Sequence, residues 1–97
     1  MEQKRLECKI TGRVQLVMFR DFTNRSAQKL GLTGIVKNMP DGSVYVLAEG
    51  EESALFELID KLKGGPIFAR VDNVEERWLP ATGEFKNFSI DFYGNKA

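Results

Sequence analysis

Along this chain the spacing of the apolar residues changes twice from every second residue to a helical repeat and back, and few folds accommodate that succession. Leu6, Cys8 and Ile10 alternate with Glu7, Lys9 and Thr11, which predicts a strand over residues 5–11 with one buried face. Over residues 20–30 the pattern turns helical, with Phe22, Ala27 and Leu30 on one side and Gly31 as the stop. Residues 32–38 contain Ile35 and Val36 and run into Met39, Pro40, Asp41 and Gly42, a turn sequence that folds them back onto residues 43–49. In that third strand Val44, Val46 and Ala48 face one way, Tyr45 and Leu47 the other. Residues 51–63 make the strongest helix, because Leu55, Leu58, Ile59 and Leu62 line one face, acids open it, lysines close it, and Gly64, Gly65 and Pro66 end it. Two more strands are predicted. One covers residues 70–79, with Val74, Glu76 and Trp78 on one face; the other covers residues 87–93, where Phe88, Ile90 and Phe92 alternate with Ser89 and Asp91. Residues 80–86 between them read as an exposed loop.

The order is therefore βαββαβ with a short fifth strand. Right-handed crossovers put both helices on one face of an antiparallel sheet and make strands one and three its central pair, with strand two beyond strand three. This is the ferredoxin-like split βαβ sandwich of the α+β class. Ninety-seven residues suit one such domain, residues 1–97, with one core.

Composition removes several kinds of function. Fourteen basic and fourteen acidic side chains cancel, so no global field gathers nucleic acid or an anionic membrane. The same strand order carries RNA-recognition modules, but the first strand has no outward aromatic and the basic surface is missing, so no nucleic-acid partner is expected. The N-terminal residues have charge without an apolar stretch, and no window is long enough for a membrane span; a cytoplasmic protein without a membrane partner is the expectation. Histidine is absent and cysteine occurs once, at Cys8 among apolar neighbours. Imidazole chemistry and intrachain disulfides are thereby excluded, and Cys8 reads as a core residue. Glu75, Glu76, Asp41 and Asp72 read as solvated acids, so neither a metal site nor a cofactor is expected.

The segment GRVQLVMFR, Gly12 to Arg20, offers a different chemistry. An apolar run passes through a small loop to an arginine where a helix begins, and the unpaired N–H groups of a helix start favour an anion. Strands one and two run parallel in the expected topology, so Arg20 and Asn38, which follows the second strand's apolar run, share one edge of the sheet. Two strand spacings, roughly 10 Å, separate their backbones. A phosphate-sized group fits between an arginine and an amide placed so.

These residues resemble the acylphosphatase family. GRVQLVMFR is similar to the family's GRVQGVxFR loop, and GLTGIVKNMPDGSV to its second signature, GLxGxVxNxxDGxV; the likeness continues through AEGEE to the closing FSI strand. The resemblance implies a small enzyme that hydrolyses carboxyl–phosphate anhydrides. It implies that Arg20 and the loop amides of Gln15, Leu16, Val17, Met18 and Phe19 bind the phosphoryl oxygens, and that Asn38 holds the attacking water. It implies small-molecule acyl phosphates as substrate, inorganic phosphate or sulfate as a product-like ligand, and a monomer. Leu16 stands where the family has glycine. A leucine forced into left-handed geometry costs about 1–2 kcal/mol, so the loop is expected to be shifted or partly closed, and a catalytically weakened phosphate-binding protein is the second expectation.

Overall fold

The alternation at Leu6, Cys8 and Ile10 becomes the middle of β1 (Gln3–Arg13), whose neighbours in the sheet are chosen by where the same alternation recurs. A computed structural model describes residues 2–92. After β1 come α1 (Phe19–Lys29), β2 (Thr33–Asn38), β3 (Val44–Glu51), α2 (Glu52–Gly64), β4 (Arg70–Pro80) and β5 (Phe88–Ile90), and the strands lie in the order β4-β1-β3-β2-β5. β1 pairs antiparallel with β3 so that Leu6, Cys8 and Ile10 stand opposite Ala48, Val46 and Val44. All six are buried. Leu55, Leu58, Ile59 and Leu62 of α2 complete the core over this face.

Helix α1 buries Phe19, Thr23 and Ala27, one turn apart, whereas Phe22 is only half-buried. The inward line expected through Phe22 is thus displaced, because the helix starts at Phe19 and that ring is drawn into the core. Gly31 ends α1 as expected: at φ 73° it lets its own N–H reach Gln28 O (3.1 Å) and the Leu32 N–H reach Ala27 O (3.0 Å), satisfying the last carbonyls.

The fifth strand is shorter than expected. β5 runs parallel to β2, with Phe88 opposite Gly34 and Ile90 opposite Val36. After Asp91 N–H donates to Val36 O (2.9 Å) the chain turns. Phe92 therefore leaves the inward alternation of Phe88 and Ile90 and is exposed; Tyr93 lies outside the described residues.

Two features deliver the chain to the site. A bulge between Thr11 and Gly12 shifts the β1–β4 register, and Gly12, at φ 126°, lies so close to the Arg70 carbonyl that a side chain there would collide with backbone. The bulge re-aims the end of β1 into the loop before α1. On the sheet face away from the helices, the buried Glu49 carboxylate accepts from Arg5 Nε (2.7 Å), Thr82 N (3.0 Å), Thr82 Oγ1 (3.0 Å) and Gly83 N (2.9 Å). That ties the β4–β5 connection across the sheet and brings β5 to the edge of β2.

Burial raises the Glu49 pKa, but the Thr82 and Gly83 N–H groups and Arg5 outweigh it and hold the group at about 2, against an ordinary 4.5. A depressed carboxyl pKa stabilises the fold above the unfolded value, and that stability disappears as pH falls from about 4.5 towards 2. Glu49→Gln should therefore cost about 2–4 kcal/mol at pH 7. Urea midpoints of the two proteins should converge as the pH is lowered from 4.5 to 2.5; a constant gap across that range would show that the carboxylate charge is not what the latch uses.

Candidate active site

Between β1 and α1 the backbone alternates in hand. Leu16 and Met18 both have φ 64° while Val17 between them does not share it, and Met18, at φ 64°, ψ 25°, is the residue from which α1 starts. Successive N–H groups in such alternating conformations point to one side and form a concavity for anions. Phe22 N donates to Met18 O (3.0 Å), which leaves the amides of Phe19, Arg20 and Asp21 without an intrahelical acceptor. Among the described residues no side chain caps this helix start. The loop is held from both ends: Val14 is fully buried, and Gln15 Nε2 donates to Met39 O (2.8 Å) and Ser43 O (2.8 Å) on the β2–β3 turn.

That turn is itself fixed. Asp41 accepts from Ser43 Oγ (2.6 Å) and Ser43 N (2.9 Å) and pairs with Lys9 (3.1 Å); the Ser43 hydroxyl and amide hold its carboxyl well below the usual range. Asn38 precedes the turn at the end of β2, and its Oδ1 is buried without a hydrogen-bond donor among the described residues. A buried acceptor of this kind costs about 1–3 kcal/mol unless a donor reaches it from outside the chain.

Arg20 and Asn38 line one cavity of about 400 Å³, together with Leu16, Met18, Ile90 and Phe92. The expected convergence on one sheet edge is present. The Arg20 guanidinium lies 5.1 Å from the centre of the Phe92 ring, a cation–π contact that restricts the long side chain. Among the described residues it has no carboxylate within ion-pair distance, since Asp21, beside it on the cavity wall, is paired with Arg25 at 3.0 Å. The cavity thus presents one positive side chain, a helix start and an unfilled amide acceptor. Cys8 lies elsewhere, in the core, where burial foremost and Glu76 secondarily push its thiol up to about 12; it is no nucleophile.

The model of the family described as acylphosphatase matches residues 6–90. The chain belongs to the acylphosphatase family. It is 49% identical over 88 residues to an acylphosphatase of Caldanaerobacter subterraneus, covering 91% of this chain and 98% of that one. An acylphosphatase of Salinibacter ruber is 47% identical over 88 residues, covering 91% and 93% of the respective chains. The crystal structure of acylphosphatase from Bacillus subtilis superposes with a TM-score of 0.89 at 36% identity, covering 92% of this chain and 99% of that one.

Of the residues whose amides are expected to bind phosphate, Gln15 to Met18 lie on the loop and Phe19 opens α1; Leu16, Met18 and Phe19 line the cavity, Gln15 and Val17 do not, and the Gln15 side chain is occupied in anchoring the loop. Leu16 does not close the loop. It takes the left-handed geometry a glycine would take and turns its side chain outward, 97% exposed, because the Gln15 anchor and the Met18 helix start fix the backbone on either side. Sequence reasoning missed Phe92, since its alternation with Phe88 and Ile90 assigned it to the core, and it missed the anchoring role of Gln15, for which a glutamine in a loop gives no signal.

Leu16→Gly should leave unfolding free energy unchanged or raise it by up to about 1.5 kcal/mol, because relief of about 1–2 kcal/mol of strain is offset by about 0.5–1 kcal/mol of glycine entropy. Urea titration measures it; a loss above 2 kcal/mol would mean that the leucine side chain packs against the fold rather than projecting from it.

Proposed function

We propose that Arg20, the amides of the loop from Gln15 to Phe19, and Asn38 carry out the acyl-phosphate hydrolysis that family membership assigns to this chain. The observation that carries the proposal is that Leu16, Met18, Phe19, Arg20 and Asn38 line a single cavity, with a positive side chain, an uncapped helix start and an Asn38 Oδ1 that has no partner among the described residues. The loop amides and the Arg20 fork neutralise the phosphoryl oxygens, and Asn38 accepts a hydrogen bond from water and aims its oxygen at phosphorus. The new P–O bond forms from water as the bond to the acyl oxygen breaks, and the water proton passes to a phosphoryl oxygen. The carboxylate leaves without a proton donor, since its conjugate acid has a pKa of about 4.

Such a reaction relies on positioning and charge neutralisation in a loose phosphoryl-transfer transition state. It uses no imidazole, and as written it draws on no metal or cofactor. Inorganic phosphate, or sulfate in its place, is the product-like ligand of the same cradle. Every group named belongs to one chain, and the proposal is a cytoplasmic monomer that acts on small molecules, without a nucleic-acid or membrane partner. Among the described residues no helix is long and apolar enough to cross a membrane.

Arg20→Ala should lower kcat/KM for benzoyl phosphate by at least about a thousandfold and abolish competitive inhibition by inorganic phosphate, with Arg20→Lys little better because the planar fork is lost. Asn38→Ala should lower kcat about a hundredfold with KM changed less than about threefold, since it removes water positioning rather than phosphate binding. Steady-state hydrolysis followed optically measures both. An unchanged kcat in Asn38→Ala would remove the amide from the reaction.

A further inference from the structure

The mouth of the cavity is apolar and open. Leu16 is 97% exposed, Met18 68% and Phe92 62%, and all three line the same space as Arg20 and Asn38. Three large apolar side chains exposed around one polar floor are not explained by packing within the described residues. Leu16 is the most telling, because it holds an unfavourable left-handed backbone while its side chain contributes nothing to the core. Strained residues that persist in a well-held loop point to a role at a site.

We infer that Leu16, with Met18 and Phe92, forms a subsite for the acyl portion of the substrate and selects acyl phosphates bearing an aromatic or branched aliphatic group over those bearing a small one. The inference rests on the hydrolytic reading of the same cavity. Once the phosphoryl group sits on the amides and Arg20, the remainder of the molecule projects towards the mouth, where the only large exposed surfaces among the lining residues are these side chains. Part of the Phe92 ring is engaged by Arg20, so an acyl group packing on it also stabilises the guanidinium that grips the phosphate. An acetyl group carries a single methyl, whereas a benzoyl ring offers much more apolar surface to remove from water together with that of these side chains.

The test compares benzoyl phosphate with acetyl phosphate in the unmodified protein, Leu16→Gly and Leu16→Asn. Glycine removes the side chain, while asparagine tolerates positive φ and replaces the apolar wall by a polar one. Any general effect on the loop or on phosphate binding acts on both substrates and cancels in the ratio of their kcat/KM values. That ratio should fall about five- to tenfold in both variants. A ratio unchanged within twofold in both, in a protein that hydrolyses both substrates, would overturn the acyl subsite and leave the hydrolytic reading standing. Absence of turnover of either substrate by the unmodified protein would remove the hydrolytic reading, and this inference with it.

Discussion

The site depends on a backbone that enters left-handed geometry twice within a few residues and is kept from relaxing. Leu16 and Met18 both pay for left-handed geometry without being glycine. What opposes relaxation is local and identifiable: the buried Val14 before the loop, the two hydrogen bonds of Gln15 to the β2–β3 turn, and the core position of Phe19 at the first turn of α1. Together they hold two unfavourable residues in place at the entry to α1. The same Gln15 bonds couple the loop to the turn that follows Asn38, so the loop before α1 and the end of β2 are fixed by one piece of structure.

The sheet makes that coupling possible. β1 and β2 are parallel with β3 between them, so the loop leaving β1 and the end of β2 emerge on the same side of the molecule. The bulge at Gly12 then shifts the register of β1 against β4 just before the loop, and the Glu49 latch brings β5 alongside β2. Without β5 there would be no Phe92 against Arg20. A carboxylate on the far face of the sheet is in this way connected to the orientation of the cationic fork, through backbone placement and not through any charge–charge contact.

Much of this was legible in the residues. The period-two runs at Leu6–Cys8–Ile10 and Val44–Val46–Ala48 set the two central strands and their shared face, and the Leu55, Leu58, Ile59, Leu62 stripe set α2. The convergence of Arg20 and Asn38 followed from topology, since parallel strands put their ends on one edge. What escaped were features decided by contacts distant in sequence. Phe92 carries the same alternation as Ile90, but the strand ends when the ladder to β2 ends, and no local pattern announces that. Phe22 has the spacing of a core residue, yet Phe19 wins the inward position. For Leu16, propensity predicted a displaced loop, and the anchoring of the flanking residues overrode propensity.

The proposed reaction requires one anion held by Arg20 and the amides from Gln15 to Phe19, beside the Asn38 side chain. Titrating inorganic phosphate into the ¹⁵N-labelled protein while following amide resonances tests it without turnover. Saturable shifts concentrated at Gln15, Leu16, Val17, Met18, Phe19, Arg20 and the neighbouring Asn38 side-chain amide, sharing one Kd, are the predicted result. Shifts clustered instead at Arg25, Lys29 and Lys61 on the outer surface of the helices, with the β1–α1 loop unmoved, would contradict it.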